Sequence, residues 1–145
     1  MEKRVVITGL GVISPVGNGK DVFWESLVSG KSGIGPITHF DATEYTTRIA
    51  GEVKDFDVTQ YGIDRKEARH MDPSTQYAVA ATKLALDDSG MNLDAENHDR
   101  IGTIIGTGIG GMETLHNLYK GLFEKGPSRV NPFVCLLYTS PSPRD

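Results

Sequence analysis

The first apolar cluster, Val5-Val6-Ile7, is β-branched and closed by Gly9, which predicts a short buried strand over residues 4–8. Glycines then punctuate residues 9–17 and predict a loop. Asn18 is placed to cap a helix running to about Ser29, with Gly30 in the left-handed position after its end. Phe23, Trp24, Leu27 and Val28 recur at helical spacing and predict one buried stripe. Residues 31–61 lack a clear period, and Gly33, Gly35 and Pro36 interrupt regular structure, although residues 46–53 have room for one short strand.

The pattern sharpens in the second half. Residues 64–70 predict a short charged helix. Asp72 as N-cap and Pro73 at the first helical position open an alanine-rich helix that runs to Ser89 and stops at Gly90. Tyr77, Ala80, Ala81, Leu84 and Ala85 share one face of it, and their small side chains permit close packing. Residues 100–105 read as a second strand, and the glycine run 106–111 turns it into a helix ending near Glu124. Alternating strands and helices predict an α/β fold with a mainly parallel sheet covered by helices. Two strands are too few to close such a sheet, so part of it is expected to lie elsewhere.

After Phe133 the character changes. The run from Val134 to Leu137 gives way to Ser-Pro alternation, which continues neither a helix nor an interior strand. Residues 1–133 therefore read as one partial domain and residues 134–145 as a separate tail, artefactual or disordered. Cys135 is the sole cysteine, which excludes an internal disulfide framework. It lies in that tail beside neither a histidine nor a helix start, so it is not read as a nucleophile. Net charge is −4, which argues against coating nucleic acid but leaves room for a local basic patch. No signal-peptide core and no membrane-length apolar stretch is present, so a cytoplasmic protein without membrane attachment is expected.

Candidate chemistry is sparse. Gly106-x-Gly108-x-x-Gly111 matches the dinucleotide fingerprint literally. The fingerprint also needs a second strand ending in an acid about twenty residues on. Glu124 falls at a helix end and is followed by Gly126-Pro127, so the glycines are read as allowing close backbone approach and a tight turn. Gly9-x-Gly11 is a poorer match, with Ser14 in place of the third glycine. His39, His70, His98 and His116 stand far apart without ligand spacing. Asp87, Asp88, Asp94 and Glu96 read as solvated charges. Lys66, Arg69 and His70 fall at i, i+3 and i+4, one face of the short helix, where an acidic partner or only solvent could meet them.

Four segments taken together resemble the β-ketoacyl-acyl carrier protein synthase family, type II. They are Val6-x-Thr8-Gly9-x-Gly11-x-x-Ser14-Pro15-x-Gly17, Gly30-Lys31-Ser32-Gly33-Ile34, residues 65–72, and the run Gly106-Thr107-Gly108-Ile109-Gly110-Gly111. The opening segment is highly specific; the glycine run is specific only in company. The resemblance implies a thiolase-type α/β architecture of two similar halves working as a homodimer, of which this chain supplies part of the first half. It implies a decarboxylating Claisen condensation of acyl and malonyl thioesters delivered by acyl carrier protein, as in fatty-acid elongation. No metal, flavin or nicotinamide is required. The family's cysteine nucleophile and two histidines would lie further along than this chain extends. Ile109 matches a position lining the acyl pocket. Lys66 and Arg69 match basic positions that dock the carrier protein, His70 stands where lysine is commoner, and Arg129 lies near another docking position, with Ser128 replacing a basic neighbour. A polyketide-type ketosynthase or chain-length factor shares the opening motif and stays open. So does, on the glycine loops alone, a nucleotide-binding oxidoreductase domain, and so does a carrier-binding module without turnover.

Overall fold

A computed structural model describes residues 3–130. The tail at 134–145 and Cys135 lie outside the described residues. The chain opens with an irregular segment and then forms a tight antiparallel hairpin, β1 (Ile13–Ser14) and β2 (Gly17–Asn18). The Ser14 hydroxyl accepts from Val16 N and donates to Gly17 O, tying the two-residue turn at Pro15-Val16. Helix α1 (Lys20–Val28) follows, then a second antiparallel pair, β3 (Ile34–Pro36) with β4 (Ile49–Gly51). A 3-10 turn at Val58–Tyr61, the short helix α2 (Arg65–Ala68) and the long helix α3 (Pro73–Ser89) come next. Two further 3-10 turns, Leu93–Ala95 and His98–Arg100, precede α4 (Met112–Lys125), and a last one closes the described chain at Pro127–Arg129.

Local signals are realised closely in α3. Asp72 accepts from Ser74 N, Pro73 occupies the first position, and Gly90 ends the helix at φ 65°. Its predicted inner face is the packed one: Ala80 is fully buried, and Tyr77, Ala81, Leu84 and Ala85 are half-buried. Two glycines explain why small residues stand there. A Cβ on Gly11 would collide with the Ala81 carbonyl, and one on Gly9 with the Ala85 carbonyl, one turn further along. Alternate positions of an extended segment thus lie directly on consecutive turns of α3. Asp88 fastens the arrangement, accepting from Leu10 N at 2.9 Å and from the Lys20 ammonium. It clamps segments distant in sequence rather than being the solvated charge expected, while Asp87 pairs with Lys83 on the same helix. Phe56 adds an aromatic bridge, stacking on Tyr61 and meeting Tyr77 edge-on at 4.9 Å.

Several expectations are corrected. Residues 4–8 and 101–105 form no strand ladder, and among the described residues both sheets are two-stranded and antiparallel. A parallel ladder needs a neighbouring strand, and none of the described residues lies beside these segments as one: Val5 is 94% and Ile104 98% exposed. Asn18 does not cap α1. It is used in the hairpin, with its side chain on Lys54 O, and Gly19 takes the cap position without a side-chain bond. The C-terminal end does follow the sequence, with Gly30 N bonded to Leu27 O and Lys31 N to Ser26 O. The stripe of α1 is not buried: Trp24, Leu27 and Val28 are exposed. Ser26 is buried instead and donates to Val16 O, because α1 meets the described chain through the hairpin side. Pro36 does not break structure; it ends an edge strand, where its missing N–H costs nothing.

Candidate functional site

The basic cluster is built on α2. Asp64 caps this helix by accepting from Lys66 N at 2.7 Å. Arg65 faces back toward Asp57, with Nη2 3.8 Å from its carboxylate. The Thr59 hydroxyl and N–H on Asp57, with Arg65 adding to them, hold the Asp57 carboxyl below its usual range. Lys66, Arg69 and His70 are exposed. The helix end is fixed to α3 by Gln76, whose amide donates to Ala68 O at 3.0 Å and Met71 O at 3.1 Å. The helix is shorter than the expected 64–70: Lys66 lies on α2, Arg69 is its C-cap and His70 follows, so the cluster is a surface at the end of a held helix.

The glycine run leads into α4. Gly106 and Gly108 have open space where a Cβ would stand, and Gly111 has φ 73° as the residue preceding the helix. Gly111 cannot supply a side-chain cap, and the missing acceptor comes from α3. Asp72 Oδ2 accepts from Thr114 N at 3.1 Å and from Thr114 Oγ1 at 3.0 Å. Ser74, whose hydroxyl donates to Asp72 Oδ1, accepts from Gly111 N at 3.4 Å. Asp72 is only 8% exposed. Burial pushes its carboxyl up, but the bonds from Ser74 and Thr114 outweigh that and hold it below its ordinary value. Ile109 is 77% exposed on this loop, so no closed pocket surrounds it among the described residues.

A cavity of about 390 Å³ lies between the two features, lined by Glu67 of α2, Met71 just after it, Val79 and Leu86 of α3, and Ile105 just before the glycines. Arg129 is exposed in the 3-10 turn packed on the end of α4. Among the described residues no hydrogen bond or ion pair links it to Lys66 or Arg69. The structure thus joins the basic helix and the glycine loop through α3, while Arg129 sits in the turn after α4.

The histidines are less scattered than their spacing predicts. His39 and His116 line one cavity of about 740 Å³ with Asp41 and Glu113. No group of three or more metal-binding side chains forms among the described residues. His98 Nε2 bonds Leu93 O at 2.7 Å, a local contact. The dinucleotide reading loses its frame, because no ladder precedes Gly106 and a 3-10 turn, not a strand, follows α4. No helix is long and apolar enough to cross a membrane among the described residues.

Comparison with known proteins places this geometry. The family model described as "Beta-ketoacyl synthase, N-terminal domain" matches residues 2–141. The chain is 50% identical over 133 residues to 3-oxoacyl-[acyl-carrier-protein] synthase 2 of Synechocystis sp., covering 92% of this chain and 32% of that protein. Its likeness to the synthase of the same name from Vibrio harveyi is 51% over 132 residues, covering 91% and 32%. The Staphylococcus aureus protein is 48% identical over 131 residues, covering 90% and 31%. The chain thus spans about a third of the length of the curated relatives it matches. Among solved structures, the ishigamide ketosynthase/chain length factor superposes with a TM-score of 0.73 at 32% identity, covering 90% of this chain and 32% of that one. A type II polyketide acyl-carrier protein in complex with its ketosynthase superposes with a TM-score of 0.74 at 27% identity, covering 93% and 36%.

Proposed function

The chain belongs to the β-ketoacyl synthase family, matching the model of its N-terminal domain over residues 2–141, and on that premise we propose that it is the amino-terminal part of a fatty-acid chain-elongating 3-oxoacyl-acyl carrier protein synthase. The observation that carries the proposal is identity near 50% across nine-tenths of the chain with three bacterial proteins of that name. Likeness to polyketide ketosynthases is lower, 27–32%, and leaves a polyketide ketosynthase or chain-length factor as the second reading. The α/β, thiolase-like fold is common to both.

In this proposal the chemistry is a decarboxylating condensation. An acyl group held as a thioester is attacked by the carbanion left when malonyl-carrier protein loses carbon dioxide. The nucleophilic cysteine and two histidines come from the part of the family's sequence beyond this chain, and Cys135 is not the nucleophile. What this chain contributes is reception and shape. Lys66 and Arg69, with His70 beside them and Arg129 at a second point, present positive charge to an acidic carrier protein. The solved complex of a ketosynthase with its acyl-carrier protein supports such a partner. Ile109, on the glycine loop, forms part of the acyl pocket once the rest of the protein covers it. Two copies act together as a homodimer in the cytoplasm. In this proposal the family part ends near residue 133, where the sequence changes character, while the family model matches as far as residue 141.

The test is an elongation assay on the full-length protein that carries these residues. With acyl- and malonyl-carrier protein it is expected to release carbon dioxide and yield the 3-oxoacyl product. Carbon dioxide release without condensation would favour a chain-length-factor role, and neither activity would end the synthase reading.

A further inference from the structure

Two helices start at one carboxylate. Asp72 Oδ1 accepts from Ser74 N at 3.0 Å and from the Ser74 hydroxyl at 2.8 Å, at the first turn of α3. Asp72 Oδ2 accepts from Thr114 N and Thr114 Oγ1, in the first turn of α4, 42 residues away in sequence. All the acceptor capacity of a carboxylate is thereby engaged on two sides. The left-handed turn at Gly111 favours glycine, which brings no side chain to cap α4, and a helix start left without acceptors is unfavourable. Nothing stands within 4 Å of a Cβ built on Gly106 or Gly108, and the hydrogen bonds that tie the loop's exit to the start of α3 are those of Gly111 and Thr114. The same α3 turn holds the basic helix through Gln76.

We propose that Asp72 is the positioning residue of the glycine loop carrying Ile109, setting the loop's register against α3 and therefore against the basic surface of α2. This rests on the reading of Ile109 as an acyl-pocket residue. Its consequence is that Asp72 governs which acyl chain lengths are accepted without touching the acyl chain. The carboxylate is required because it offers acceptors on both oxygens. Asparagine caps α3 as well as aspartate does, but its amide nitrogen would set a donor against the Thr114 N–H donor.

The test uses the full-length ketosynthase carrying these residues, with Asp72→Asn and, as a milder variant, Thr114→Val. Amide hydrogen exchange followed by mass spectrometry reads the loop directly. With a donor facing the Thr114 N–H in place of a charged acceptor, exchange over residues 110–115 is expected to speed by at least about tenfold in Asp72→Asn, with residues 73–77 close to wild type. Thr114→Val, which loses one bond, is expected to give a smaller change in the same segment. The ratio of kcat/KM for long over short acyl substrates is expected to shift in both variants, while carrier-protein affinity stays within about twofold. Unchanged exchange over 110–115 would overturn the proposal. So would faster exchange with an unaltered chain-length ratio, if Ile109→Phe in the same protein does change that ratio. If Ile109→Phe leaves the ratio unaltered, the pocket reading of Ile109 has failed, and the selectivity role of Asp72 falls with it.

Discussion

At the scale of single residues, Asp72 is the group whose protonation has the clearest consequence. Its carboxyl is held below the ordinary value in the fold, and an aspartate in an unfolded chain titrates at about 3.9. A group depressed in this way stabilises the fold above the unfolded value, and that contribution is lost as pH falls through the folded one. Wild-type full-length protein is therefore expected to lose stability below about pH 4 more steeply than Asp72→Asn, whose side chain does not titrate. Denaturant midpoints at pH 7 and pH 3.5 check this, and parallel pH dependences would argue against it. Asp72→Ala removes both caps and is expected to cost about 1–3 kcal/mol at pH 7.

Between elements, two contacts make distinct predictions. Gly11 lies against the Ala81 carbonyl on α3 with no room for a methyl group. Gly11→Ala must push the segment off the helix and is expected to destabilise by about 1–3 kcal/mol, read as a lower thermal midpoint. Gly102→Ala, at a glycine with open space around its missing Cβ, is the matched control and should change little. On α2 the relevant quantity is charge. Lys66→Glu with Arg69→Glu is expected to slow carrier-protein association while leaving the fold intact, because both side chains are exposed. Association rates at low and high salt should show the deficit shrinking as salt rises. A deficit independent of salt would mean that α2 itself had been disturbed.

For the whole molecule, the buried apolar set is small. Ala42, Ile63 and Ala80 are its members among the described residues, and no large side chain is fully buried. The accessible surface is 12224 Å² at 15.7 kDa, against roughly 7300 Å² for a compact monomer of that mass. Exposed Val5, Ile7, Trp24, Ile104 and Phe123 leave apolar faces and unpaired backbone open to other chains. The 145-residue chain expressed alone is therefore expected to aggregate or to lack a cooperative thermal transition, and to show no condensing activity. A soluble monomer with a sharp calorimetric transition would contradict this and point to an independent domain.

The sequence by itself determined what depends on neighbours within a few residues. Asp72 as a cap, Pro73 at a helix start, Gly30 and Gly90 at helix ends, and the α3 face all follow from backbone geometry over one or two turns. The family was legible for a related reason, since glycines and prolines at fixed spacing mark turns that few sequences share. Tertiary structure alone decided the rest. Leu10 meets Asp88 across 78 residues, and Thr114 meets Asp72 across 42, and no local pattern encodes which distant donor a carboxylate will take. The apolar runs at 4–8 and 101–105 show the same divide. Their β-branched residues fit a pleated ladder, but a ladder also needs a partner strand, and its presence is a property of the assembled fold.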